Sequence, residues 1–254
     1  MYLGNRRLII PMFKPPAVVS AGFNPIDLFG GGEDGVFYDI SDLTTLFEER
    51  TGASATTASS VDGVVGTVLD KSGNAHHLTA ADDAERPILR QSGSLYYLEF
   101  DGSDDELSNS SLSITQAMVM GLAAAIDSSD GGADRLFDSD DSARMVFGKQ
   151  NSTKLLYGGS PFLQPTDSFP TGDHVWTFIA DGSSSSFRED GGSDLASGDI
   201  GTNGFTGLTL GSAFSGAENL DGKIYAFVAL DRLFTGNERA DLETWLGGKI
   251  GISI

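Results

Sequence analysis

From residue 23 onward the chain sets short apolar runs between clusters of Gly, Asp, Asn and Ser, the pattern of strands joined by tight turns. Runs at residues 36–39, 66–69, 96–100, 117–126, 144–147, 154–157, 174–180, 186–188, 208–211 and 223–230 read as strands, enough for two sheets. In Lys223-Ile224-Tyr225-Ala226-Phe227-Val228-Ala229-Leu230 apolar residues occupy both parities. That strand should be central in its sheet or buried on both faces. The polar, Gly-rich stretches 127–134, 181–185 and 190–203 read as connections at the rim of a sandwich. The expected fold is all-β, a two-sheet antiparallel sandwich in one domain over residues 23–254.

Two segments carry helical spacing instead. Residues 41–49 offer Ser41 as a cap and apolar Leu43, Leu46 and Phe47, which predicts a short surface helix near residue 45. Thr235-Gly236-Asn237-Glu238 matches a capping box, and Leu242, Trp245, Leu246 and Ile250 then recur on one helical face. Gly247-Gly248 predicts the stop of this C-terminal helix, with Trp245 laid against the sandwich.

Residues 1–22 differ from the rest. Pro11, Pro15 and Pro16 forbid a helix, while Leu8-Ile9-Ile10, Met12-Phe13 and Val18-Val19 are too apolar for a solvated tail. The segment reads either as an edge strand on its own domain or as an extended arm that docks on a partner. The prolines also interrupt the apolar stretch before a signal-peptide core forms. No run approaches the roughly 20 apolar residues that cross a bilayer, so a soluble protein without membrane insertion is expected.

Composition narrows the chemistry. With 16 basic and 36 acidic side chains the formal charge is −20, which opposes binding to a phosphate backbone or an anionic membrane surface. The absence of cysteine removes disulfides, thiolate metal sites and a cysteine nucleophile. Glycine, at 33 of 254 residues, agrees with many tight turns.

Three groups of residues resemble a known family. Gly22-Phe23-Asn24-Pro25-Ile26-Asp27-Leu28-Phe29, leading into residues 33–47, is similar to the opening of phage and prophage virion proteins. Leu69-Asp70-Lys71-Ser72-Gly73-Asn74-Ala75-His76-His77, Arg86-Pro87-Ile88-Leu89-Arg90 and Leu98-Glu99-Phe100-Asp101-Gly102-Ser103-Asp104-Asp105 resemble the first half of concanavalin A-like, laminin-G-like jelly rolls. Leu230-Asp231-Arg232 and the capped helix resemble the end of that domain. The resemblance implies a jelly-roll sandwich, in a family whose members include lectins, carbohydrate-binding modules, glycosidases and virion surface parts. It leaves activity open.

Each candidate chemistry has a competing structural role. Glu99-Phe100-Asp101 begins like the Glu-x-Asp-x-x-Glu motif of sandwich glucanases, but position 104 is Asp and Gly102-Ser103 turns the strand. A loop-capping role fits these residues better, and no catalytic residue is assigned. Asp101, Asp104 and Asp105 are candidate calcium ligands, as are Asp138, Asp140 and Asp141, although neither set has the EF-hand pattern and both fit plain solvated loops. His76, His77 and His174 show no zinc or triad pattern and read as turn and sheet-edge residues. For sugar binding, Trp176, Tyr97 and Tyr157 are the candidate platforms, with Tyr96 a further one. Alternation leaves the face of Trp176 undecided.

The expectation at this level is a non-enzymatic virion structural protein, assembled in the host cytoplasm and displayed as a tail fibre, spike or head decoration. It would adhere to host surface glycan, meet other virion proteins through residues 1–22 and form a homo-oligomer. It would need no cofactor, calcium being the one candidate. The alternatives are a glycan-degrading glycoside hydrolase of the same fold and a decoration protein without ligand.

Overall fold

The computed structural model describes residues 22–127, 131–140 and 143–254. The expected arm, apart from Gly22, lies outside the described residues, as does the calcium candidate Asp141. The described chain forms two antiparallel sheets, as the apolar alternation predicts. The first sheet has eight strands. Its main path runs Asp194–Gly198, Ser185–Glu189, His174–Ala180, Met118–Ile126, Asp221–Leu230, Leu95–Asp101 and Ile88–Ser92. Gly35–Asp39 joins it by pairing with the second half of Asp221–Leu230. The second sheet has nine strands, in the order Phe162–Leu163, Thr153–Tyr157, Val146–Gln150, Ala133–Asp138, Phe205–Leu210, Leu107–Ile114, Leu78–Thr79, Thr67–Val68 and Leu46–Phe47.

Between the sheets lies an aromatic core in which Phe137, Phe147, Trp176, Phe178, Phe187, Phe205 and Phe227 are fully buried. Phe147 and Phe178 meet at 4.6 Å between centroids, and Phe137 and Phe227 at 5.4 Å. Burying one such ring contributes about 2 kcal/mol or more. Asp221–Leu230 is central, as expected, and a bulge explains its double parity: Ile224 pairs with Ala124 and Ala226 with Ala123, leaving Tyr225 as the extra residue. Ile224, Phe227 and Ala229 thus enter the inter-sheet core, while Tyr225, Ala226, Val228 and Leu230 face a second apolar layer.

That second layer is the C-terminal helix Glu238–Ile250, which packs Leu242, Leu246 and Ile250 on the outer face of the first sheet. Gly121 lets it approach, since a Cβ there would stand 2.7 Å from Leu242 Cδ2. The first sheet is therefore covered on both faces, and the groove described below lies on the outer face of the second.

Local structure departs from the sequence reading by adding strands such as Ile88–Ser92, Leu107–Ile114 and Ala133–Asp138, and three further departures have a clear physical reason. Residues 41–49 do not form a helix of their own: Asp42, not Ser41, caps a single 3-10 turn, Leu43–Thr45, and Leu46–Phe47 becomes a strand. Pairing with Thr67–Val68 and full burial of Leu46 outweigh the local helical spacing. The C-terminal helix runs through Gly247-Gly248 and stops at Gly251, whose φ of +74° suits glycine. Gly247 serves packing instead, because a Cβ there would crowd Ile254 at 3.1 Å. The Glu238 half of the capping box is present, accepting from Thr235 N at 2.7 Å, and Trp245 packs edge-on to Phe37 at 5.5 Å. Finally, Asp194–Gly198 is a strand inside a stretch that reads as a connection, because its apolar content is low and pairing with Ser185–Glu189 fixes it.

Candidate functional site

On the outer face of the second sheet, four neighbouring strands and the connections beside them enclose a groove of about 400 Å³. Alternation along Thr153–Tyr157 sends Lys154 and Leu156 inward, while Leu155 and Tyr157 line the groove. Tyr157 pairs across strands with Phe162, which is 51% exposed, so two aromatic residues line the groove from neighbouring strands. Val146 and Gln150 come from the adjacent strand and Gln164 from beyond Phe162. Gln164 Nε2 is fixed by Thr153 Oγ1 at 2.9 Å and by the Gln150 carbonyl at 3.3 Å.

The polar end is built from charge pairs. Ala133–Asp138 bulges so that Phe137 pairs with Phe147 and Arg135 with Gly148, which leaves Leu136 unpaired. Leu136 and Phe137 can then both enter the core while Arg135 reaches the groove. The approach requires Gly148, where a Cβ would meet the Asp134 carbonyl at 2.1 Å. The Arg135 side chain is only 4% exposed. It donates to Lys149 O at 2.8 Å and Gln150 Oε1 at 2.6 Å, and its Nε stands 2.8 Å from Glu218 Oε2 as an ion pair off the N–H axis. Burial pushes its guanidinium pKa down from the usual value, against the attraction of Glu218.

Arg144 completes this end. It binds fully buried Asp138 through Nε, 3.1 Å from Oδ1, and through Nη2, which also stands 3.9 Å from Glu218 Oε2. Burial raises the Asp138 pKa, against the opposing pull of Arg144 and two backbone amides. Glu218 holds φ at +55°, a left-handed conformation uncommon for a residue with a side chain. Strain of this kind concentrates at binding and catalytic positions.

Of the sugar platforms expected from sequence, Tyr157 lies in the groove. Trp176 does not: it is fully buried between Phe147 and Phe169, and its Nε1 donates to Glu189 at 3.2 Å, so its assignment as a platform is corrected. Its undecided alternation resolves inward because Trp176 and Phe178 both complete the inter-sheet core. Tyr97 belongs to the other sheet, against Tyr225 at 5.2 Å with Lys223 Nζ 5.7 Å from its ring centre. Tyr96 lines a separate cleft of about 380 Å³ beside Trp245, where Lys249 Nζ sits 4.2 Å from the indole. A third cleft, of about 390 Å³, is walled by Glu48, Glu49 and the Arg50–Asp83 ion pair and has no aromatic side.

The calcium candidates Asp101, Asp104 and Asp105 do converge, with carboxylate oxygens within 4.8 Å of one another. Asp105 is buried and accepts from Asp101 N, while Asp101 accepts from Ser103 N at 2.8 Å. Burial and the neighbouring carboxylates push the Asp105 pKa up to about 6. Glu99 is engaged by Arg90 at 2.6 Å. Asp138, from the other candidate set, accepts from Arg144 Nε at 3.1 Å.

Each histidine has a specific partner. His76 Nε2 lies 3.1 Å from Asp34, and His77 Nδ1 accepts from Asp70 N at 3.0 Å. His174, Glu189 and Asp190 form a further cluster within 4.8 Å. There His174 Nδ1 is already 2.7 Å from Asp190, and Lys154 stands 3.3 Å from Glu189.

Comparison with family models and with curated proteins gave no match. Among solved structures the chain is similar to a GH54 α-L-arabinofuranosidase, with a TM-score of 0.65 and 12% identity over 90% of this chain and 66% of that one. It thus spans just under two-thirds of that enzyme's length. Domain 4 of AbnA, a GH43 extracellular arabinanase from Geobacillus stearothermophilus solved with arabinotriose, matches with a TM-score of 0.57 and 13% identity over 83% of this chain and 98% of that domain. Trypanosoma rangeli sialidase in complex with sialic acid matches at 0.52 and 14% over 80% of this chain and 36% of the enzyme. At these identities the likeness establishes the fold, an all-β sandwich shared with carbohydrate-active enzymes.

The expectation of a non-enzymatic chain is corrected by these comparisons, since the neighbours at TM-scores of 0.57 to 0.65 are glycoside hydrolases or a domain of one. That expectation rested on the lack of a contiguous carboxylate motif, whereas a sandwich collects its acids from distant segments, as Asp138 and Glu218 show at Arg144.

Proposed function

We propose that this chain acts on glycan, with the groove on the outer face of the nine-stranded sheet as its saccharide site. The observation that carries the reading is the pairing of Tyr157 with exposed Phe162 beside Gln150, Gln164, Arg135, Arg144 and Glu218. Aromatic faces take the C–H side of a sugar ring, and fixed amides, guanidinium groups and a carboxylate take its hydroxyls. The likeness to an arabinofuranosidase and an arabinanase domain supports it. Titration of the protein against polysaccharides, with released reducing ends measured in the same mixture, tests it. Saturable binding that Phe162→Ala abolishes is expected; binding indifferent to that change would overturn the groove assignment.

Hydrolysis of the bound glycan by the same groove is the second reading, and Glu218 favours it. Glu218 is the one carboxylate among the described lining residues, held at a positive φ beside Arg135. Glycoside hydrolysis uses a pair of carboxyl groups, of which Glu218 would supply one, as acid or base. Glu218→Gln is then expected to abolish release of reducing ends while neutral glycan still binds. Release that persists in Glu218→Gln would contradict this reading.

For its setting we infer a virion surface, with residues 1–22 as an assembly arm and the sandwich presented to host glycan in the host cytoplasm-assembled particle. The resemblance of residues 22–47 to virion proteins and the net charge of −20 support this. Deletion of residues 1–22 should leave the melting temperature unchanged and abolish incorporation into the assembly; a truncated chain that still assembles would contradict the arm.

A further inference from the structure

We infer that the glycan taken by this groove is uncharged, a neutral polysaccharide without uronate, sialate or sulfate groups. The inference rests on the groove being the saccharide site. Its basis is the charge balance around the groove.

Every basic residue on the four strands and the connections that build the groove faces a carboxylate. Arg135 is held by Glu218 at 2.8 Å, and Arg144 by Asp138. The two lysines of the same strands point the other way, Lys149 to Asp134 at 2.6 Å and Lys154 to Glu189 at 3.3 Å. Four cations meet four carboxylates, so no uncompensated positive charge is directed at a ligand.

An acidic sugar would have to displace Glu218 from Arg135 or Asp138 from Arg144. Either exchange leaves a protein carboxylate next to the incoming one, and the Asp138 exchange strands a fully buried charge. Longer-range fields oppose it too, because the chain carries −20 overall and a polyanion approaches against that potential. A neutral sugar meets none of these costs. Its hydroxyls donate to Glu218 and the glutamine amides, while its apolar face stacks on Tyr157 and Phe162.

The test compares neutral polymers, debranched arabinan, xylan and a β-glucan, with carboxylated ones, polygalacturonate and polysialate, on the full chain and on Phe162→Ala. The expected result is Phe162-dependent binding of a neutral polymer at least about tenfold tighter than of any carboxylated one. Glu218→Gln unmasks the Arg135 charge, so it should raise affinity for polygalacturonate about tenfold and make that binding salt-sensitive. Phe162-dependent binding of a carboxylated polymer as tight as the best neutral one would overturn the inference while leaving the groove as the site. Binding of any polymer that ignores Phe162→Ala would overturn both. A Glu218→Gln protein with unchanged preference would overturn the charge-balance argument.

Discussion

Arg135 and Glu218 are joined twice: guanidinium Nε stands 2.8 Å from the carboxylate, and the Arg135 amide donates to the Glu218 carbonyl at 3.0 Å. The backbone bond pins the loop between Leu210 and Asp221 across the sheet, and the ion pair aims the glutamate at the groove. The pair couples the fold to the site, since Arg135 also fixes Gln150 and the Lys149 carbonyl.

Arg135→Met keeps the apolar stem and removes that clamp. Losing one partner of a largely buried pair costs about 2 kcal/mol, discounted here because Glu218 is about one-third exposed. In a chain of this length the melting temperature should fall by roughly 5 °C, with saccharide binding weakened as well. Calorimetry on the variant checks this; an unchanged melting temperature would show that the clamp contributes nothing.

Asp105 predicts a pH dependence. Its folded pKa is raised to about 6 by burial and by Asp101, Asp104 and Glu99, above the usual carboxylate value. The folded chain therefore binds this proton more tightly than the unfolded chain, so stability falls as pH rises from about 4 through 6. The loss is roughly 2 kcal/mol, and Asp105→Asn should remove it. Urea unfolding at pH 4.5 and 7.5 in EDTA measures the difference. Calcium held by these three carboxylates would keep Asp105 ionised and flatten the slope in the parent protein, whereas a slope unchanged by added calcium would mean an unoccupied cluster.

His174 acts in the same direction at higher pH. Its bond to Asp190 raises its pKa; in Asp190, burial is outweighed by that bond and by the Val175 amide, leaving its pKa lowered. The stability from the raised histidine is complete below its unfolded value near 6.5 and is lost as pH passes its folded value. Asp190 contributes above its unfolded value near 4 and loses this as pH falls through its lower folded value. His174→Gln should lower the melting temperature by about 3 °C at pH 6 and by less at pH 9. Equal losses at both pH values would contradict a charged pair.

Much of this architecture is legible in the residue pattern. Lys223 to Leu230 announces a central strand through apolar residues in both parities, and the helix carrying Leu242 and Leu246 follows from its spacing. Local spacing fails at residues 41–49, where a long-range partner strand captures Leu46 and Phe47. The groove was legible only at Tyr157. Arg135, Arg144, Phe162 and Glu218 are spread over more than 80 residues and meet through strand order and a bulge at Leu136 that no local pattern encodes. The one local signal was the alternation in Thr153-Lys154-Leu155-Leu156-Tyr157, which exposes Leu155 and Tyr157 together.

Mapping of backbone amide shifts during titration with a neutral oligosaccharide that the protein binds tests the central claim most directly. The account predicts the largest shifts at Gln150, Tyr157, Phe162, Gln164 and Glu218, all lost in Phe162→Ala, with none at Asp101 to Asp105. Shifts centred on Tyr96 and Trp245, or on Tyr97 and Tyr225, would place the saccharide elsewhere and contradict it.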